Sequence, residues 1–297
     1  MARQETRVTV GGRELTVSNL EKVLFPESGF TKGELIDYYA KVAQAMLPHI
    51  EDRPLTMKRY PDGVEKNYFY EKHVPSHAPS WVHTVSVPSS DGDDAVEYAV
   101  VNDLPTLVWA ANLGTIEFHV PLWRVGRRRR LPAPPDLLVF DLDPGEGAAL
   151  VECCQVALFV HDELDARGLQ TRVKTSGSKG VQVYARLEGK TSWEASRTDA
   201  HEIARVIEQE HPELVTSNMR KSLRRGKILI DWSQNHPSKT TVGAYSIRGR
   251  TLPTVSTPVT WDEVRECLEH GDASMLEFTS AEVLVRVEEL GDLFAFS

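Results

Sequence analysis

Apolar positions along the chain fall into two periodicities, and the switches between them mark its elements. Leu35, Tyr38, Tyr39, Val42 and Met46 recur at helical spacing behind TKGE at 31–34. A threonine followed three residues later by glutamate forms a capping box, so a helix is expected from Thr31 through Met46. Asp103 is placed to cap a second helix that tolerates Pro105 in its first turn. GAALVECCQVALFVHDELDARG, from Gly147 to Gly168, reads as a long helix stopped by glycine. Further helices are expected over Trp193 to Glu210, Ser217 to Arg225, Trp261 to Glu269 and Ser280 to Leu290. Between them, short apolar runs predict strands at Thr115 to Val120, Leu137 to Leu142, Gly180 to Leu187 and Lys227 to Trp232. The mixture is α/β or α+β. Without repeats, low-complexity segments or a linker long enough to force a boundary, a single domain over 1–297 is expected.

Composition narrows the class. A chain of 297 residues with 41% hydrophobic content can bury a large core. The N-terminus has no apolar signal core, and no window approaches the roughly 18 apolar residues of a membrane span, so a cytoplasmic protein is expected. Cys153, Cys154 and Cys267 have neither disulfide nor zinc-ligand spacing and read as core packing.

The net charge of −9 argues against nucleic acid until its distribution is considered. From Asp262 onward there are ten acidic residues and two basic ones, so the preceding 261 residues are close to neutral. Between Leu214 and Trp261, eight lysines and arginines face the lone carboxylate of Asp231. Ala166 to Leu187 and Phe118 to Pro135 each hold five basic residues and no acid. Because screening limits the reach of a charge to roughly 8–10 Å, such local stretches matter more for phosphate binding than the total does.

Candidate chemistry centres on LLVFDLDPGEG at 137–147. On a strand Asp141 and Asp143 point the same way, Cα atoms roughly 6.5 Å apart. Two carboxylates converging on one point repel unless a cation lies between them, and hard divalent ions are the usual partner. Helix capping would explain Asp143 but not Asp141. Two-metal sites usually need a third carboxylate, and Asp231 ends the apolar strand of KILIDWSQN. KTSGSKGVQVY, from Lys174 to Tyr184, combines glycines, hydroxyls and Lys179 in the manner of a phosphate cradle, though it lacks Walker A spacing and a hairpin turn would use the same residues. YSIRGR adds Arg248 and Arg250, whose planar forks suit phosphate oxygens.

With these motifs in order, the chain resembles the polymerase domain of bacterial ligase D, a primase-polymerase of the archaeo-eukaryotic primase superfamily acting in non-homologous end joining. The resemblance runs from LTVSNLEKVLF through RPLTMKRYPDG, IEFHVPLWR, VFDLDPGEG and TSGSKGVQVY to ILIDWSQNHPSKTTVGAYSIRGRTLPTVSTPVTW and GDLFAFS. It implies a primase-like core of mixed sheets flanked by helices. It also implies catalytic, metal-binding roles for Asp141, Asp143 and Asp231, with two Mn2+ or Mg2+ ions. Nucleotide binding is implied for Arg59, His119, Ser176, Lys179, Gln182 and Arg248, and recognition of a DNA 5′-phosphate for Asn19, Lys22 and Lys32. Phe69 and Tyr70 match the template-stacking pair, and Arg224 and Gln234 match positions supporting DNA and the active site. Gln182 departs from the family motif S-G-x-K-G-x-H, which has histidine there.

The implied activity is DNA-directed nucleotidyl transfer from nucleoside triphosphates, filling gaps and extending ends at double-strand breaks with a preference for ribonucleotides. Ku and a separate ATP-dependent DNA ligase are the expected partners, and no membrane. Two alternatives stand beside it. One is a catalytically weak end-binding module, which Gln182 keeps open. The other is a phosphatase of the haloacid-dehalogenase type, whose nucleophile strand VFDLD also resembles but whose other motifs are missing.

Overall fold

The computed structural model describes residues 5–88, 94–126, 132–187 and 191–296. A hairpin of β1 (Glu5–Val10) and β2 (Arg13–Ser18) leads through β3 (Val23–Phe25) and β4 (Phe30–Thr31) into α1 (Lys32–Ile50). Then follow β5 (Thr56–Arg59), β6 (Phe69–Glu71), β7 (Thr84–Pro88), β8 (Ala95–Ala99), α2 (Leu104–Asn112) and β9 (Thr115–Val120). The second half runs β10 (Leu137–Pro144), α3 (Leu150–Asp165), β11 (Thr171–Thr175), β12 (Val181–Arg186), α4 (Trp193–Glu210), β13 (Val215–Thr216) and β14 (Ile228–Asp231). It closes with β15 (Thr241–Val242), β16 (Pro258–Val259), α5 (Trp261–His270) and α6 (Ser280–Leu290).

Local chemistry explains most of the helix boundaries. The Thr31 hydroxyl accepts from the Glu34 N–H at 3.2 Å while the Glu34 carboxylate accepts from the Thr31 N–H at 2.7 Å, which is the expected capping box. The helix runs past Met46 because its apolar stripe continues to the fully buried Ile50. α3 begins at Leu150, since Gly147 sits at φ 89°, outside helical backbone.

The helix expected over Ser217 to Arg225 is absent; only a single 3-10 turn, Lys221–Leu223, forms there. Residues 220–223 are exposed, leaving no apolar face to bury, and the like charges Arg220/Arg224 and Lys221/Arg225 would stack one turn apart. The short strands β3–β8, β11, β13, β15 and β16 carry too few residues for an alternating pattern to stand out.

Two sheets position the site. A six-stranded sheet has the order β13-β14-β10-β12-β11-β16, antiparallel except for the β13/β14 pair, and a four-stranded sheet has the order β15-β9-β5-β6. Alternation along β10 divides two cores. Leu138, Phe140 and Leu142 pack with Cys153, Val156 and Val160 of α3 and Ile203 and Ile207 of α4. Val139, on the other face, joins Tyr184 and the cluster built around α1 and β9. Emptying the Phe140 site by Phe140→Ala would cost about 3–5 kcal/mol. Asp141 and Asp143 share the Val139 face, so the pattern that buries β10 also aims both carboxylates between the sheets.

The three cysteines are buried and unpaired, with Cys154 Sγ 3.7 Å from Cys267 Sγ where α3 meets α5, in keeping with core packing. Among the described residues no helix is long and apolar enough to cross a membrane. Arg127 to Arg130, within one of the basic stretches, lie outside the described residues.

Candidate active site

Register places three polar side chains in one row across the six-stranded sheet. Asp141 on β10 stands opposite Asp231 on β14 and opposite Gln182 on β12. Directly opposed residues share a face, so all three project to the same side as Asp143, two residues along. Close backbone approaches frame this row. A Cβ on Gly180 would lie 2.1 Å from the Leu142 carbonyl oxygen, and one on Gly145 would lie 1.7 Å from the Arg224 carbonyl oxygen. Only glycine lets the Ser176–Gly180 turn and the Arg224 segment pack against the end of β10.

The result is an open cleft of ≈ 360 Å³ between the sheets. Asp141, Asp143 and Gln182 form its floor; Ser176, Lys179, Arg248 and Arg250 stand on one wall, and His119 and Arg224 also line it. Ser176 closes the turn through its own atoms: its hydroxyl accepts from Gly180 N–H at 3.1 Å, its N–H donates to Gly180 O at 2.8 Å, and its carbonyl accepts from Arg248 Nη1. Lys179, in the same turn, lines the cleft.

Burial is the main reason that the Asp141 carboxyl titrates high, at about 7; the neighbouring Asp143 and Asp231 charges add to it and the Gln182 hydrogen bond opposes it. Asp143 is raised as well, by burial and then by Asp231, against the pull of Arg224 and Arg248. Such a pair of adjacent like charges on the floor of a basic cleft calls for a cation, and its oxygen-only donor set suits a hard divalent ion.

Asp231 is held differently. Its Oδ1 accepts from Ser233 N–H at 3.0 Å and Ser233 Oγ at 2.6 Å, and its Oδ2 accepts from Gln234 Nε2 at 3.0 Å. It caps the turn that follows it and does not line the cleft. Among the described residues, no group of three His, Cys, Asp or Glu side chains is arranged to hold a metal ion. Gln234 thus meets Asp231 directly.

Behind the floor lies a buried lysine that sequence reasoning had only quoted within a motif. Lys174 donates to Gln182 Oε1 at 2.5 Å and to Ser256 Oγ at 2.6 Å. Burial, followed by the Arg248 charge, depresses its ammonium well below the ordinary lysine range, with Asp141 pulling the other way. Gln182 Nε2 in turn donates to Asp141 Oδ1 at 2.9 Å. The amide of Gln182, 4% exposed, is therefore used on both sides within the protein.

A second unforeseen residue is Glu117, 1% exposed, at the hub of an ionic cluster. It lies 2.9 Å from Lys58 Nζ, 2.9 Å from His119 Nε2 and 3.1 Å from Arg248 Nε, the last an ion pair without hydrogen-bond alignment. It also accepts from Tyr60 OH and Gly249 N–H, each at 3.1 Å. Burial would raise its carboxyl, but the His119 hydrogen bond and the Arg248, His119 and Lys58 charges hold it well below the carboxylate range. For His119 burial prevails over Glu117 and lowers its titration. A sequence signal existed, since Glu117 is the only acid in the apolar strand TIEFHV and shares the face of His119.

The remaining expected residues form two outlying groups. Phe69 and Tyr70 are 44% and 55% exposed on β6, an edge strand of the four-stranded sheet. Tyr70 meets His119 edge to face at 5.8 Å, which joins this platform to the cleft. Arg59 does not line the cleft; it pairs with Glu71 at 2.6 Å, donates to Leu113 O at 2.9 Å and lies 5.2 Å from the Phe69 ring, bracing the platform from behind. Asn19, Lys22 and Lys32 come together at the start of α1: Lys32 N–H donates to Lys22 O at 2.8 Å, and Asn19 turns the chain at φ 55°. Lys22 pairs with Asp62 at 2.7 Å, and Lys32 Nζ donates to Ser18 O at 2.6 Å.

Comparison with known proteins bears on this arrangement. A family model described as the LigD primase-polymerase domain matches residues 31–294. The multifunctional non-homologous end joining protein LigD of Mycolicibacterium smegmatis is 42% identical over 279 residues, covering 94% of this chain and 35% of that protein. The bifunctional non-homologous end joining protein LigD of Bacillus subtilis is 32% identical over 279 residues, covering 94% of this chain and 43% of that protein. The chain thus spans less than half the length of these curated relatives. A solved structure of the polymerase domain of Mycobacterium tuberculosis ligase D in complex with DNA matches with a TM-score of 0.87 and 43% identity, covering 94% of this chain and 96% of that one.

Proposed function

The chain belongs to the LigD primase-polymerase family, and we propose that it transfers nucleotides to DNA ends and gaps during double-strand break repair by non-homologous end joining. Family membership sets aside the phosphatase reading of the DLD strand. The observation that carries the proposal is the cleft itself, with Asp141 and Asp143 on its floor facing the Ser176–Gly180 turn, Lys179 and Arg248.

In this reading the triphosphate lies against the turn, where Lys179 contributes a point charge and Arg248 a planar fork, the latter held in place by Glu117 and the Ser176 carbonyl. Asp141 and Asp143 would hold two divalent cations, Mn2+ or Mg2+, and Asp231 would complete the set by exchanging its bonds to Ser233 and Gln234. Bound there, the cations would neutralise charge on the attacking 3′-oxygen and the departing pyrophosphate. Gln182 orients Asp141. Phe69 and Tyr70 offer π faces on which a template base can stack, since base–aromatic stacking is sequence-tolerant. Lys22, Lys32 and Asn19 would receive the 5′-phosphate on the far side of a gap. Ku and a DNA ligase are the proposed partners, and ribonucleotides the proposed substrate of choice.

A second reading, an end-binding module with weak transfer activity, draws on the Asp231 carboxylate, whose two oxygens are already engaged. Primer extension on a gapped duplex with a downstream 5′-phosphate separates the two. The assay is run with ribonucleotides or deoxyribonucleotides and with Mn2+ or Mg2+. Template-dependent extension supports the transferase. DNA binding without extension under every condition leaves the end-binding module.

A further inference from the structure

Beyond the catalytic cleft, an open cleft of ≈ 500 Å³ lined by two tryptophans lies between α4 and the turn that follows Asp231. Trp193, Arg197, His201, Trp232, His236 and Pro237 line it, with Glu194 as the carboxylate in its wall. Both indoles are fixed by their own N–H groups: Trp193 Nε1 donates to Ala133 O at 2.8 Å and Trp232 Nε1 to Ser217 O at 3.0 Å. Neither has a donor left for a ligand, so Trp193 offers the cleft only ring surface, already immobilised, while Trp232 backs the ring stacked on it. The His201 ring stacks on Trp232 with centroids 4.0 Å apart and planes 27° apart, and the Arg197 guanidinium lies 5.3 Å from the same ring. Flat rings bordered by a guanidinium and imidazoles suit a stacked base with its phosphate alongside.

The position of this cleft relative to the chemistry gives it a purpose. His236 and Pro237 also line a neighbouring cleft of ≈ 370 Å³ that contains Lys72, Tyr98 and Trp123, and that cleft shares Thr240 with the catalytic one. Trp123 Nε1 donates to Pro237 O at 3.0 Å and pins the turn over which the three clefts meet. Three adjoining clefts therefore lead from the aspartates to Trp193, and the two beyond the catalytic one are lined by tryptophan.

We propose that the Trp193/Trp232 cleft is a base-stacking subsite for the unpaired strand of a DNA end, which passes over the 236–240 turn on its way from the catalytic cleft. The proposal rests on the DNA-directed reading above and adds a second contact to it. A strand that spans these clefts reaches more nucleotides than the catalytic cleft alone can hold, so affinity should depend on overhang length.

The test measures binding of the full chain, by fluorescence anisotropy, to phosphorylated duplexes bearing oligothymidine overhangs of about two or about ten nucleotides, in both polarities. For the unaltered protein the longer overhang of one polarity should bind about tenfold more tightly. Arg197→Ala and His201→Ala, both at the cleft surface, should reduce that gain to about threefold or less while leaving affinity for the short overhang and extension from it unchanged. Trp193→Phe, which keeps a ring in place, should retain most of the gain. An equal gain in the unaltered protein and the Arg197 and His201 variants, or no length dependence in either polarity, overturns the subsite. Length-dependent binding without nucleotide incorporation keeps the subsite and overturns the transferase reading instead.

Discussion

Gln182 Nε2 donates to Asp141 Oδ1 at 2.9 Å, while the other end of the same amide accepts from the buried Lys174. The Lys174 donor behind the amide orients it so that only its N–H side can face the carboxylate. Gln182 and Lys174 therefore act as one unit.

That unit predicts a non-additive pair. Gln182→Leu removes both the acceptor on which Lys174 depends and the donor that faces Asp141, at about 1–3 kcal/mol of stability. Lys174→Met in the same chain should recover most of that loss. Urea unfolding of both single variants and the double variant gives the coupling directly, and additive losses would refute it.

Asp141 predicts a pH-dependent stability. Its carboxyl titrates at about 7 in the folded chain, above the ordinary carboxylate value, so its stability contribution is full at low pH and is lost as pH rises through 7. Without divalent ions, Asp141→Asn should match the unaltered protein near pH 4 and exceed it near pH 8 by on the order of 2 kcal/mol. Denaturant unfolding in chelator at the two pH values checks this. A difference independent of pH would show that Asp141 is not strained by its charge.

The catalytic assignment predicts that Asp141→Ala, Asp143→Ala and Asp231→Ala each nearly abolish extension while DNA binding persists or tightens, since each removes a negative charge. For Asp231→Ala the turn capped by its carboxylate should also loosen. Substantial extension by any of the three, in the primer assay, would remove that residue from the metal set.

Glu117 predicts a loss on two counts. Glu117→Gln leaves Lys58, His119 and Arg248 without their shared carboxylate, at about 3–5 kcal/mol of stability. Because Arg248 is then less firmly placed, the nucleotide KM should rise by more than kcat falls. Steady-state kinetics at a temperature where the variant remains folded separate the two effects; an unchanged KM would make Glu117 a purely structural residue.

At the start of α1, Asp62 pairs with Lys22 and so competes with any phosphate there. Asp62→Asn should tighten binding to 5′-phosphorylated gaps several-fold at low salt, with the gain fading above roughly 0.5 M as charges are screened. Lys22→Ala with Lys32→Ala should erase most of the preference for phosphorylated over unphosphorylated gaps. A preference that survives the double substitution places phosphate recognition elsewhere.

Local sequence determined much of the framework. The boundaries of α4, α6 and β9 follow from caps and periodicity alone, because those signals act within one or two turns of backbone. The facing of Asp141 and Asp143 was likewise legible, since alternation along a strand is a property of the chain itself. The pairing of Asp141 with Asp231 across 90 residues was not: only the antiparallel register of β10 and β14 brings them opposite. The Ser217–Arg225 segment showed the limit from the other side, where good helix formers yielded to their charges because no apolar surface was there to hold them. Glu117 and Lys174 were the least legible residues of the site. In the sequence they are ordinary charged residues on strands, and their roles arise from burial beside partners on distant segments, where low dielectric makes each charge depend on its neighbours.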